Sequence, residues 1–170
     1  MNSEIELDNI VDLLSKAKKI AIFTHISPDG DAIGSSLALY LGFLQLKKEV
    51  SIVTDDFSRC FNFLPHLEEI QKEVDGFFDV SIALDCATKG RLFDPKGVFE
   101  QSDMTVAIDH HASNTYFAKM NYVEGNSPAT CKTLVKVFKR LGIVITKEIG
   151  SCLMAGIITD SGGFRYDTVD

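Results

Sequence analysis

Short apolar runs that end in polar residues constrain the fold of this chain more than any other feature. IAIFTH at 20–25 is too short for a buried helix and predicts a buried parallel strand. EVSIVT at 49–54 predicts a second strand. FFDVSIALD at 77–85 and MTVAID at 104–109 predict two more, and each of these two runs stops at an aspartate.

Helical patterns alternate with these runs along the chain. Four segments have the apolar spacing of helices: residue 5 to the lysines at 16–19, 32–46, 127–141 and 146–158. Strands and helices that alternate at these lengths are typical of an α/β fold. We therefore predict one domain over 1–170, with a doubly wound, mostly parallel sheet and helices on both faces.

Charge and cysteine content limit the partners and the compartment. The chain has 24 acidic and 17 basic residues and a net charge of -7, the opposite of the basic surface that general binding to nucleic acid requires. A long duplex is therefore not an expected partner, although bound cations would still allow an anionic substrate. The four cysteines form no CxxC pair, and no stretch approaches the ~18 apolar residues of a membrane helix. We expect a cytoplasmic protein without a membrane partner.

Acidic and imidazole side chains gather where three of the predicted strands end. They are His25, Asp29 and Asp31 after the first strand, Asp85 at the end of the third, and Asp109, His110 and His111 at the end of the fourth. Ligands bind beyond the carboxyl ends of parallel strands, so these side chains are expected to meet. Each has a simpler explanation when taken alone, such as Asp29 or Asp31 capping the helix near Ala32. Their coincidence at three strand ends favours a joint site.

The chemistry of these side chains predicts a centre with two metal ions. Carboxylates that face one another repel unless cations lie between them. Imidazole and carboxylate ligands without a thiolate favour Mn²⁺, or Mg²⁺ or Co²⁺, over Ca²⁺ and structural Zn²⁺. The strand ends offer more ligands than one ion with an open position uses, which favours two ions about 3.5–4 Å apart sharing a carboxylate. A hydroxide activated by two metal ions predicts hydrolysis of a phosphate ester or anhydride.

Four segments around these residues resemble the four motifs of the DHH phosphoesterase family. They are THISPDGDAIGSSLAL at 24–39, ALDCA at 83–87, IDHHASNTYFAKMNYVEGNSPAT at 108–130 and GIITDSGGFRYDT at 156–168. Together they span nearly the whole chain. PDGDAIGS resembles the branch of RecJ-like and NrnA-type oligoribonuclease enzymes, which act on short RNA and on nucleoside 3',5'-bisphosphates. Gly30 departs from the PDTD sequence that is usual in the manganese-dependent pyrophosphatases of the same superfamily.

The resemblance implies a role for the acidic and histidine side chains of the motifs. His25 and Asp29 should hold one metal ion, Asp31, His110 and Asp160 the other, and Asp85 should bridge both. Asp160 enters through the resemblance alone, because its position in the sequence would otherwise place it in a C-terminal loop. His111 is similar to the histidine that faces the scissile phosphate, where it donates a hydrogen bond or protonates the leaving oxygen. Asp109 is expected to orient a metal-bound histidine.

Three further polar residues near the motifs have two interpretations each. Arg165 is interpreted as the only arginine near a motif, where its planar set of donors could contact a phosphate, and a surface salt bridge would explain it equally well. Ser127 and Thr130 either bind phosphate or cap the following helix, and capping is the simpler interpretation.

The family usually continues into a smaller second domain with a glycine- and histidine-rich motif that grips the substrate. The chain stops at Asp170 without a GGGH-like segment, so we expect residues 1–170 to be the DHH catalytic domain alone. Weaker turnover is then expected, since remote binding energy orients the reacting phosphate.

The sequence leaves several alternatives, including whether the chain forms a homodimer. The alternatives are a pyrophosphatase or polyphosphatase, a cyclic or linear dinucleotide phosphodiesterase, and a non-catalytic metal- or nucleotide-binding regulatory domain. The complete ligand set favours the enzyme.

Overall fold

A six-stranded parallel sheet forms the centre of the molecule. The computed structural model describes residues 3–166, so residues 167 and 168 of the fourth motif lie outside the described residues. Strands β1 to β6 are Lys19–Phe23, Glu49–Val53, Ile70–Gln71, Val80–Leu84, Met104–Asp109 and Met120–Val123. Helices α1 to α5 are Ser3–Lys16, Gly30–Gln45, Val98–Gln101, Thr130–Leu141 and Lys147–Asp160. The predicted α/β class is confirmed.

The order of the strands creates a crevice above the middle of the sheet. The order is β3-β2-β1-β4-β5-β6, and every neighbouring pair is parallel. The chain therefore builds outward in one direction from β1 and in the other from β4. Phe23 pairs with Ala83, which brings the carboxyl ends of β1 and β4 level. The loops after these two strands diverge at this point, where ligands bind in open α/β sheets.

The two faces of the sheet are covered unequally. Ile20 and Ile22 of β1 point into the large core with α1, α2, α4 and α5. Ala21 and Phe23 point to the opposite face, where α3 and its flanking loops form a smaller core. The rings of Phe23 and Phe99 meet edge to face there, with centroids 5.9 Å apart. Because α2 and α3 connect their strands on opposite faces, the predicted double winding is confirmed.

The sequence patterns missed the short elements and misplaced some ends. Strands β3 and β6 and helix α3 were not predicted. They have two, four and four residues, and both strands lie at sheet edges. Helix α4 begins at Thr130 rather than at 127, and α5 continues to Asp160 rather than ending at 158.

Close packing of α2 against α5 sets the position of the candidate site. A Cβ atom at Gly34 would collide with the carbonyl of Cys152, and one at Gly30 would collide with the side chain of Thr159. Only glycine permits this approach. The contact holds the C-terminal end of α5 beside the N-terminal end of α2, which carries Asp31.

Two further features bear on the environment of the protein. All four cysteines are free, and three of them are buried. Within residues 3–166, every helix is too short or too polar to cross a lipid bilayer.

Candidate metal centre

The structure brings the six predicted metal ligands together at the crevice between β1 and β4. Each of two groups has ligand atoms within 4.8 Å of one another: His25 with Asp29 and Asp85, and Asp31 with His110 and Asp160. A third group of the same compactness joins Asp85 to His110 and His111. Asp85 therefore lies between the two sets of side chains.

Asp85 turns one carboxylate oxygen toward each set. It follows β4 in a left-handed conformation with φ of 55°, and it is almost fully buried. Its Oδ2 lies 3.6 Å from Nε2 of His25, and its Oδ1 lies 3.5 Å from Nε2 of His110. The hydroxyl of Thr130 donates to Oδ1 at 3.1 Å. A left-handed backbone is unfavourable for a residue with a side chain, and such strain is common where a side chain must be aimed.

His25 presents a nitrogen lone pair to the centre. The carbonyl of Ile26 lies 2.9 Å from its Nδ1 and accepts a hydrogen bond only if Nδ1 carries the proton. Nε2 then faces Asp85 and Asp29 as an acceptor. Burial alone would lower the pKa of His25, but hydrogen bonding and charge from Asp85 outweigh it and raise the pKa.

Asp29 caps helix α2 and still faces the centre. Its Oδ1 accepts hydrogen bonds from the amides of Asp31 at 2.9 Å and Ala32 at 3.1 Å. Its Oδ2 lies 3.9 Å from Nε2 of His25. Partial burial and the charge of Asp85 raise the pKa of Asp29. The capping explanation and the ligand explanation therefore apply to different oxygens of one carboxylate.

Asp31 caps a different helix, α4, across the core. The amide of Thr130 donates to its Oδ2 at 2.6 Å, and the amide of Cys131 donates to its Oδ1 at 2.9 Å. The carboxylate has no exposed surface. Burial, with the charges of Asp85 and Asp160, raises its pKa to about 8. The expectation that Asp29 or Asp31 caps α2 holds for Asp29 alone.

The predicted caps of α4 are wrong because Asp31 already occupies that position. The N-cap residue is Ala129, which has no capping side chain. The Ser127 hydroxyl donates to the Ala129 carbonyl instead, and the Thr130 hydroxyl donates to Asp85.

His110 is the best test of whether these side chains fit a metal ion. The carbonyl of Ser127 lies 3.0 Å from its Nδ1, which leaves Nε2 as the free nitrogen. Nε2 lies 3.0 Å from Oδ2 of Asp160 but is buried and has no hydrogen bond within the described residues. Burial alone would lower the pKa of His110, but Asp160 and Asp85 raise it to about 9. A cation between this nitrogen and the carboxylates would satisfy all of them, so the ligand set fits.

Asp160 ends α5 rather than lying in a loop. Its side chain reaches the centre because α5 packs closely on α2. Its placement in a C-terminal loop from sequence position alone was therefore wrong.

Asp109 holds the ring of His111 instead of the ring of a proposed metal ligand. Its Oδ1 lies 2.7 Å from Nδ1 of His111 and accepts the amide of His110, while Oδ2 accepts from Asn114 at 2.6 Å. This differs from the expectation for Asp109, since the ring of His110 is held by Ser127. Burial would raise the pKa of Asp109, but these hydrogen bonds outweigh it and lower the pKa. The Asp109 hydrogen bond raises the pKa of His111, whose side chain is 42% exposed.

Sequence patterns missed one residue at the centre, Arg91. Its guanidinium lies 3.4 Å from Nδ1 of His25. The interpretation of Arg165 as the only arginine near a motif is wrong, because Arg91 follows Asp85 by only six positions. Arg165 itself is exposed and forms no ion pair within residues 3–166, so the salt-bridge interpretation finds no partner there.

A switch-point crevice lined by carboxylates and imidazoles defines an α/β protein with side chains able to hold divalent metal ions. The chain belongs to the DHH family, because residues 19–157 match the model described as "DHH family, N-terminal domain".

Relatives and solved structures agree with this membership. The chain is 38% identical over 149 residues to "Bifunctional oligoribonuclease and PAP phosphatase NrnA" of Thermus thermophilus, covering 86% of this chain and 44% of that protein. The crystal structure of an exopolyphosphatase-related protein from Bacteroides fragilis superimposes with a TM-score of 0.87 at 27% identity, covering 98% of this chain and 53% of that one. The fold is also that of exonuclease RecJ bound to manganese, with a TM-score of 0.58 at 18% identity over 91% and 43% of the two chains. The chain thus spans about half the length of these proteins.

Proposed function

We propose that this chain supplies the catalytic centre of a metal-dependent phosphoesterase that hydrolyses short oligoribonucleotides or nucleoside 3',5'-bisphosphates. The observation that carries the proposal is the position of Asp85, with one oxygen near each of two imidazole nitrogens. The name of the Thermus relative supports the substrate class. The net charge of -7 favours short, cation-bound substrates over long duplexes.

Two divalent cations would be held by the two sets of ligands. His25 and Asp29 would hold one, Asp31, His110 and Asp160 the other, and Asp85 would contact both. Mn²⁺ is the proposed ion because the ligands mix imidazole with carboxylate, and the manganese in the RecJ structure supports this choice. When bound, such a pair lowers the pKa of water and neutralises charge on the phosphoryl oxygens.

His111 would act on the substrate from the edge of the centre. Asp109 accepts a hydrogen bond from the Nδ1–H group of His111, which fixes the ring and favours its doubly protonated form. Nε2 then carries a proton that the ring can donate to the leaving oxygen. His111 is therefore the general acid in this proposal. The exposed fraction of the side chain gives a substrate access to it.

Polyphosphate or pyrophosphate is the second candidate substrate. The observation that favours it is the close superposition on the exopolyphosphatase-related protein. Both substrate classes present a phosphoryl group to the same set of side chains, so only a direct comparison of turnover separates them.

The test is manganese-dependent release of mononucleotides from a short RNA, with nucleoside 3',5'-bisphosphate and pyrophosphate assayed in parallel. Asp85→Ala removes the central carboxylate. Asp12→Ala is the matched control, because the exposed Asp12 side chain pairs with Lys16 and with no other side chain of residues 3–166. We expect activity on RNA and bisphosphate in the wild type and the control, and its loss in Asp85→Ala.

Two other results would redirect the proposal. Faster turnover of pyrophosphate than of RNA would select the second candidate. Tight Mn²⁺ binding without release from RNA, bisphosphate or pyrophosphate would sink the catalytic proposal in favour of a regulatory metal- or nucleotide-binding domain. Assaying the Thermus relative, of which this chain spans 44%, beside the chain would show whether substrate binding needs more than the shared part.

A further inference from the structure

Backbone pairing fixes Arg91 beside the metal centre. The amide of Ile26 donates to the carbonyl of Arg91 at 2.8 Å, and His25 forms an antiparallel bridge with Leu92. The segment 91–93 therefore runs alongside 24–26. A shift of Arg91 relative to the imidazole of His25 would break these hydrogen bonds, so its place beside the centre is built into the fold.

The charge of Arg91 has no partner within residues 3–166. The guanidinium is exposed and forms no ion pair with any of the nearby carboxylates. Its one polar side-chain contact among the described residues is a long one, 3.4 Å to Nδ1 of His25, a nitrogen that the carbonyl of Ile26 approaches more closely at 2.9 Å. Lys89, two residues earlier, differs in that it pairs with Glu100 on the surface. Arg91 therefore keeps its planar set of N–H donors available beside the centre.

The two nitrogens of His25 indicate where these donors point relative to the reaction. In the proposed function the reacting phosphate would lie on the Nε2 side, where Asp29 and Asp85 converge. The Arg91 guanidinium touches the ring at Nδ1, on the other side. The contact therefore places the guanidinium beside the His25 ring, at the nitrogen opposite the one that faces the two carboxylates.

We propose that Arg91 binds a second, non-reacting phosphate of the substrate, next to the one that is hydrolysed. A guanidinium matches the geometry of phosphate oxygens through paired hydrogen bonds. The proposal rests on the proposed function and deepens it, since Arg91 would select substrates with two phosphates. Both short oligoribonucleotides and nucleoside 3',5'-bisphosphates meet this requirement, whereas a single phosphate diester does not.

The experiment compares two substrates across four forms of the intact, Mn²⁺-loaded protein. The substrates are a nucleoside 3',5'-bisphosphate and bis(p-nitrophenyl) phosphate, which has one phosphate. The forms are the wild type, Arg91→Ala, Arg91→Lys and the matched control Lys89→Ala. We expect Arg91→Ala to raise KM for the bisphosphate about 10- to 100-fold, the effect of losing a charge-assisted hydrogen bond, with little change in kcat. Turnover of the single-phosphate substrate should stay within about two-fold, Arg91→Lys should be intermediate, and Lys89→Ala should match the wild type.

Some outcomes would overturn the role of Arg91. An equal loss on both substrates in Arg91→Ala would place Arg91 at the reacting phosphate. Weaker Mn²⁺ binding, measured by calorimetry, would mean that Arg91 acts through His25.

A separate outcome concerns the proposed function. If the wild type hydrolyses neither substrate, the proposed function fails, and calorimetric binding of the bisphosphate still decides on Arg91. A loss of affinity of about ten-fold or more in Arg91→Ala would then support the phosphate site, and equal affinities would reject it.

Discussion

Asp29 and Asp31 stand two residues apart at the start of α2, yet the fold uses them differently. The Asp29 side chain is 54% exposed and gives one oxygen to the amides of its own helix. Asp31 has no exposed surface and gives both oxygens to amides of α4. One carboxylate is thus local and accessible, and the other joins two helices inside the core.

The difference separates metal binding from folding. Losing Asp29 removes one cap at the surface, where water can replace the hydrogen bonds. Losing Asp31 leaves two buried amides that water cannot reach. The two halves of the proposed centre should therefore respond differently to substitution, although both contribute ligands.

The largest effect is expected from Asp31→Ala. The buried amides of Thr130 and Cys131 lose their acceptor, and a small cavity remains. We expect the free energy of unfolding of the metal-free protein to fall by about 3–5 kcal/mol, measured by urea denaturation, and Mn²⁺ binding to be lost. Substituting the exposed Asp12 provides the baseline. A loss below about 1 kcal/mol would show that the cap across the core contributes little.

Gly156→Ala should affect the same half of the centre without changing a ligand. The added Cβ would collide with Sγ of Cys131 and crowd Asp31. We expect a loss of about 1–3 kcal/mol in unfolding free energy and weaker Mn²⁺ binding by calorimetry. Gly150→Ala is the control, because Gly150 lies on the same helix and its Cβ would make only an ordinary contact with Ile145. Equal behaviour of the two variants would contradict the tight packing of α5 around Asp31.

Two substitutions at Asp29 separate its two tasks. Asp29→Ala should lower the unfolding free energy by about 1 kcal/mol, the usual effect of a lost helix cap. Asp29→Ser restores a capping oxygen and should recover most of that stability. Both should weaken Mn²⁺ binding by more than the roughly 10- to 100-fold that changing a supporting residue produces. Recovery of Mn²⁺ affinity in Asp29→Ser would show that the carboxylate is not a ligand.

The last prediction concerns the pH dependence of stability. The folded-state pKa of Asp31, about 8, lies above the ordinary aspartate pKa of 3.8, so between these values the folded protein keeps a proton that the unfolded chain has released. Raising pH from 5 to 8 should therefore lower the Tm of the metal-free protein, because the folded state loses this extra proton as pH approaches 8. Stabilisation by Mn²⁺ should grow over the same range, since the ion displaces that proton. Melting curves with and without Mn²⁺ test this, and Asp31→Asn should flatten the dependence.

Much of the fold was predictable because its central strands are buried on both faces. Continuous apolar runs such as that of β4 show this burial directly in the sequence. Strand β6 was not predictable, since it lies at the sheet edge and buries only Tyr122 fully. Short strands with one buried side chain have no distinctive pattern.

The parts of the site that depend on distant contacts were also not predictable. Asp160 reaches the centre through the packing of α5 on α2, and Arg91 through pairing with 24–26. Neither contact has a local signal in the sequence. The candidate ligands at strand ends were predictable because the carboxyl ends of parallel strands lie at one edge of the sheet, independently of the other tertiary contacts.

The cap on α4 gives the protein two internal spectroscopic probes. The amides of Thr130 and Cys131 donate to the two oxygens of Asp31, one amide to each oxygen. A cation on this carboxylate would draw electron density from those oxygens and weaken both hydrogen bonds. The ¹H and ¹⁵N chemical shifts of these two amides should then follow occupancy of the Asp31 side of the centre, separately from the Asp29 side. A titration with diamagnetic Mg²⁺, instead of Mn²⁺ whose unpaired electrons would broaden these signals, would therefore report the filling of the Asp31 side in one isotope-labelled sample.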